Sequence, residues 1–241
     1  FIFMLFFKNH SYITFNLNDF SFSSDIILDI IKIGLPASLS MIVMAVGQGV
    51  FNKILVHISV ETVAAYQVAG RLDMLVFLPI FSIAASLTTL IGMFYGAKEY
   101  EALRFTIRYG IFSALIITIF SSATVYIFAD QVVRFFTEDE SIVIIAVNFL
   151  QIFAFAYPFI AVGITTGRVL QGLGKGLPVL VITIVRVLGV SAPLSLFFIF
   201  VMDKSVEWVW YSMMLSTVVA FAIGLTWLFS TVKKLPVKNT V

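Results

Sequence analysis

Arg71 and Asp73 lie two residues apart inside one long apolar stretch, ETVAAYQVAGRLDMLVFLPIFSIAASLTTLIGMFYG. A charge at the centre of a bilayer costs roughly 2.5–3.5 kcal/mol on insertion scales, so such residues face a bundle interior or a wet cavity and mark ion or substrate pathways. Residues two apart on a helix point roughly 200° away from each other, so these two charges do not simply neutralise one another. At least one needs a partner on another helix or in water. Folding the chain back at a turn near Ser59 brings Gln48 to about the depth of Arg71, with Asn52 and Gln67 closer to the turn. Asn148 and Gln151 fall in the same half of the layer by the same count. Two readings stay open. In one, Gln48, Asn52, Gln67, Arg71, Asp73, Asn148 and Gln151 line an outward-opening, water-filled cavity that receives a small molecule. In the other, the amides form interhelical hydrogen bonds, worth on average about 0.6 kcal/mol in membranes, and the charges pair structurally with neighbouring helices.

Arg186 is a further charge within an apolar run, and it is expected to be structural. It either snorkels or binds carbonyls freed by Pro193, whose missing N–H removes the helix bond to Gly189. Catalytic constellations are absent. No Ser/His pair shares a plausible depth, and no acid pair suggests general acid–base work, so an enzyme is not expected. Gly172-Leu173-Gly174-Lys175-Gly176 lacks the spacing of a phosphate loop, and its glycines read as a helix terminus. The sequence has no cysteine, and His10 and His57 have no ligand-spaced neighbours, so neither a metal nor a cofactor is expected.

The elements that carry these residues follow from composition. Hydrophobic residues make up 61% and charged residues 12% of the 241. A soluble domain carries about 25% charged residues, so this is an integral membrane protein, with no nucleic-acid partner expected. The apolar runs are continuous and far exceed the roughly 10-residue alternating strands of a membrane barrel, which gives an all-α fold. FIFMLFFK is read as the cut end of an earlier helix, making the chain a fragment. Residues 1–24 are assigned to that end plus a linker, and residues 25–241 to a six-helix transmembrane bundle. Asp25–Ile33 is read as an interfacial amphipathic piece. The spans run from Gly34-Leu35-Pro36 to about His57, Glu61–Gly96, about Glu99–Phe128, Ser141–Leu173, Gly176–Met202 and Val206–Val232, with Ala129–Glu140 as a short surface piece. Pro36, Pro79, Pro158 and Pro193 fall within spans as bends of unassigned role. One set of loops holds Lys32, Lys98, Arg104, Arg108, Arg168, Lys175, Lys233, Lys234 and Lys238, against Lys53, Arg134 and Lys204 on the other. Both ends are therefore expected in the cytoplasm of a cell-membrane protein. Trp208, Trp210 and Tyr211 are then expected in the outer aromatic belt.

Several stretches, in order, resemble the multidrug and toxic compound extrusion (MATE) family, and specifically its second six-helix lobe: IIKIGLPASLS, VAAYQVAGRLDMLVFLP, GMFYGAKEYEALR, FTEDESIVIIAVNFLQIFAFAYPF and VLQGLGKGLPVLVITIVR. The resemblance covers about Asp25 to Lys234. It implies one lobe of a pseudo-symmetric twelve-helix antiporter, partnered by an N-terminal six-helix lobe. Such proteins expel cationic or amphipathic compounds by alternating access, driven by Na⁺ or H⁺. NorM-like members carry a carboxylate eight residues after the first-span proline, where this chain has Met44, and an aspartate in mid fourth span, where Phe153–Thr166 has no acid. The chain therefore resembles the DinF-like branch, whose coupling carboxylate lies in the first lobe. A lipid-linked oligosaccharide flippase of the same superfamily and a non-transporting scaffold or channel subunit remain the alternatives.

Overall fold

The computed structural model describes residues 22–236, and all of the described regular structure is helical. The cut-helix stub and most of the 1–24 linker fall outside the described residues. Two compact units divide at Ile31/Lys32. Within the first, Phe1–Ile31, the described part is the opening of a helix, with Ile27 N–H donating to the Ser23 carbonyl at 3.3 Å. The second, Lys32–Val241, is the bundle.

Helix α1 (Ser24–Ile58) runs through Gly34-Leu35-Pro36 without a break. The piece expected to be interfacial, Asp25–Ile33, is thus helical and continuous with the spanning segment. Proline's missing N–H removes one helix bond, and Ser40 Oγ donates to the Pro36 carbonyl at 2.8 Å in the turn that follows. Ser59 caps α2 (Val60–Gly96), accepting from Thr62 N–H at 3.1 Å. Helix α3 (Tyr100–Arg134) absorbs the first half of the stretch expected as a separate surface piece. Its end is tied to the next helix by Arg134, which donates to Asp130 at 2.9 Å and to both Glu140 carboxylate oxygens at 2.8 Å. Outside the spans, Asp139 caps that next helix. Its carboxyl is held below the usual carboxylate range by the Ser141 hydroxyl at 2.6 Å and backbone N–H at 3.0 Å.

The fourth span is broken. Helices α4 (Glu140–Ala154) and α5 (Tyr157–Gly172) meet at 59°. Pro158 accounts for the break: in a continuous helix its N–H would satisfy the Ala154 carbonyl, and proline has none. The buried Ser122 Oγ on α3 donates to that carbonyl instead. Past the Leu173 cap of α5 the chain turns at Gly174, with φ +77°, where Lys175 N–H returns to the Leu170 carbonyl at 2.8 Å and Gly174 N–H to the Gln171 carbonyl at 2.9 Å. This αL terminus is the role the sequence suggested for the glycine run. Helix α6 (Leu177–Val201) is wound as a π-helix over Val185–Ser191, just before Pro193, and again over Phe197–Val201. Helix α7 (Glu207–Lys233) completes the set. Among the described residues, five helices are long and apolar enough to span, and the bent α4–α5 pair makes six.

Helix α2 packs on α3, α4 and α5, and α5 packs in turn on α3 and α7. One apolar cluster joins Leu55, Ala69, Leu72, Phe149 and Trp210, and a second joins Leu87, Ile91, Leu103, Leu170 and Leu228. Small residues set the spacing: a Cβ on Gly172 would sit 2.7 Å from the Thr88 carbonyl. Trp210 does not join the expected aromatic belt. It is fully buried, stacked on Tyr66 at 5.9 Å and edge-on to Phe149 at 4.9 Å, whereas Trp208 and Tyr211 are exposed.

Candidate functional site

Seven residues after Tyr66, two helical turns along the same face of α2, stands Asp73. It is partly buried, and it accepts a hydrogen bond from the hydroxyl of the fully buried Tyr157. Tyr157 is the first residue of α5, so the helix break aims its ring across the bundle at α2. Phe77 holds that ring edge-on at 5.4 Å. Tyr66 lies within electrostatic reach of both Asp73 and Arg186. Arg186 is partly buried in the π-wound turn of α6, a distortion that often accompanies functional positions. Its guanidinium makes no hydrogen bond or ion pair among the described residues, neither to the carbonyls near Pro193 nor elsewhere. An acid, two phenols and a cation from three helices thus share the interior of the bundle. Such a group can exchange a proton or compensate a cationic guest.

The seven residues singled out from the sequence fall into two sets. Gln48, Gln67 and Arg71 are exposed, and Gln67 Nε2 donates to Asn52 Oδ1 at 3.3 Å across α1 and α2. On α2 this exposed stripe continues through Met74, Leu78 and Ser82, so Arg71 and Asp73 occupy different faces. Asp73, Asn148 and Gln151 are partly buried. Asn148 Oδ1 is enclosed without a hydrogen-bond partner among the described residues, as is Trp210 Nε1. The structure joins Asn52 to Gln67 directly and gives Asp73 its partner on another helix, but it shows no direct bond linking the two sets.

Tyr66 and Tyr157 were missed by sequence reasoning. The signal for Tyr66 was its heptad spacing from Asp73. For Tyr157 it was the following proline, which reads as a first-turn helix residue.

Among the described residues, five apolar helices and one broken pair of spanning length define a multi-pass membrane protein. Residues 36–197 match the MatE family model, and the chain belongs to that family, the multidrug and toxic compound extrusion proteins. A probable multidrug resistance protein NorM of Thermotoga maritima is 27% identical over 176 residues, covering 73% of this chain and 37% of that protein. A MOP superfamily transporter from Pyrococcus furiosus, described as having a binding pocket of reverse polarity, superposes with a TM-score of 0.90 at 29% identity, covering 97% of this chain and 52% of that one. An outward-facing multidrug resistance MATE transporter gives 0.89 at 29% identity, covering 99% and 53%. The chain therefore spans about half the length of the transporters it matches.

Proposed function

We propose that this chain is the C-terminal six-helix lobe of a cation-coupled antiporter that exports cationic or amphipathic compounds by alternating access. The N-terminal lobe completes the substrate path and holds the coupling site for Na⁺ or H⁺. Met44 and the acid-free stretch Phe153–Thr166 support the DinF-like branch, although the Thermotoga relative carries the NorM name. In this reading both ends of the lobe are cytoplasmic. Gln48, Asn52, Gln67 and Arg71 line the path on the exposed face, while Asp73, Asn148 and Gln151 supply polar groups within the bundle. The family match favours export over the flippase and scaffold readings.

The observation that carries the proposal is the Asp73–Tyr157 hydrogen bond. A carboxylate far from either helix end is held by the first residue after a broken span, so the two helices can change their angle as the bond forms and breaks. The test is drug uptake into proteoliposomes containing the full-length protein, driven in turn by Na⁺ and by pH gradients. Asp73→Asn should slow uptake at least ten-fold, and Tyr157→Phe should weaken it several-fold, at unchanged melting temperature. Unaltered uptake in Asp73→Asn would remove this residue from the functional list.

A further inference from the structure

On another side of the bundle, α3 and α7 both rest on α5, and a trough of about 920 Å³ lies between them. Its floor is Pro158, Phe159 and Val162, the turn that follows the break in the fourth span. Its walls are apolar, and Phe159 and Phe221 close on each other edge-to-face at 5.1 Å. Only the cytoplasmic-type end is charged. There Arg104, Arg108 and Lys233 line the mouth, and among the described residues no carboxylate lines the trough. One Arg104 nitrogen donates to the Leu235 and Pro236 carbonyls at 2.9 and 3.4 Å, which fixes the guanidinium at the rim. Arg108 and Lys233 are exposed and make no hydrogen bond or ion pair among the described residues.

We infer that this trough binds one anionic phospholipid, its phosphate held by Arg108 and Lys233 and an acyl chain lying along Phe159 and Leu225. The length fits one leaflet. From Arg104 to Leu115 the α3 wall rises about 16 Å at roughly 1.5 Å per residue, close to half of a roughly 30 Å hydrocarbon core. The charge fits too, because basic pockets between spans on the positive side are where anionic headgroups collect. A zwitterionic lipid brings its own cation to a mouth that offers no acid to receive it.

Native mass spectrometry of the full-length protein, with equimolar phosphatidylglycerol and phosphatidylcholine added in detergent, tests the inference. The wild type should retain phosphatidylglycerol preferentially. Arg108→Gln and Lys233→Gln should each weaken retention about five-fold, and the pair should multiply the losses. Lys204→Gln, at the opposite end of the bundle, should change nothing. Leu225→Trp, which fills the trough and leaves the cations in place, should abolish retention while thermal melting in detergent confirms folding. Equal retention of both lipids, no retention by the wild type, or full retention in Leu225→Trp would overturn the site; the last result would leave only attraction to a basic surface.

Discussion

Ser122→Ala isolates the contact that sustains the break in the fourth span. The Ala154 carbonyl is buried in the bundle, Pro158 offers it no N–H, and Ser122 Oγ supplies its hydrogen bond. Interhelical hydrogen bonds in membranes average about 0.6 kcal/mol, with a maximum near 1.7, because the unfolded reference also finds partners. An acceptor left buried and unsatisfied costs about 1–3 kcal/mol. Ser122→Ala belongs where these ranges overlap, at about 1–2 kcal/mol. Pro158→Ala restores the missing N–H and lets the chain close the ordinary helix bond, which makes the serine redundant. The two substitutions should therefore be coupled: in the Pro158→Ala background, Ser122→Ala should lose at least half its cost. The assay is reversible unfolding of the full-length protein in mixed micelles, run as a double-mutant cycle. Strict additivity, or a Ser122→Ala cost below about 0.3 kcal/mol, would show that the serine does not stand in for the N–H that Pro158 lacks.

Two further predictions concern stability. Gly172→Ala would put a Cβ 2.7 Å from the Thr88 carbonyl, forcing α2 and α5 apart, whereas a Cβ on Gly163 meets nothing within 4 Å. Thermal melting should show Gly172→Ala destabilised by about 1–3 kcal/mol and Gly163→Ala nearly neutral. Asp139 has a folded pKa below its ordinary value through its bonds to Ser141, so its stabilisation is present above the unfolded value near 4 and is lost as pH falls through the lower folded value. The stability gap between wild type and Asp139→Asn should be constant at neutral pH and shrink below about pH 4, as read from melting temperatures across that range.

Hydropathy made the number and order of the spans legible, because an apolar run of spanning length has few alternatives. The glycine terminus of α5 was legible from cap chemistry, and the turn near Ser59 from the boundary between two apolar runs. The bend at Ala154–Tyr157 was not. Pro158 marked a possible kink, but the matching signal was Ser122, distant in sequence and meaningful only once α3 packs on α4 and α5. Trp210 went astray for a related reason: position near a span end suggests the interface, while its ring found a deeper slot against Tyr66 and Phe149. In the candidate site, the angular separation of Arg71 and Asp73 was readable from helix geometry. The identity of Asp73's partner, Tyr157, depended on the broken helix and so lay beyond periodicity.

In the proposed export path, the polar face of α1 and α2 lines water rather than lipid. Single cysteines report this directly, since the 241-residue sequence has none. In full-length protein freed of other cysteines, Gln67→Cys and Arg71→Cys should react with a membrane-impermeant cationic thiol reagent, and an exported cation should slow the reaction. Phe120→Cys, at a position 76% exposed on α3, should stay inert as the lipid-facing control. Gln67→Cys and Arg71→Cys as unreactive as Phe120→Cys would contradict the account.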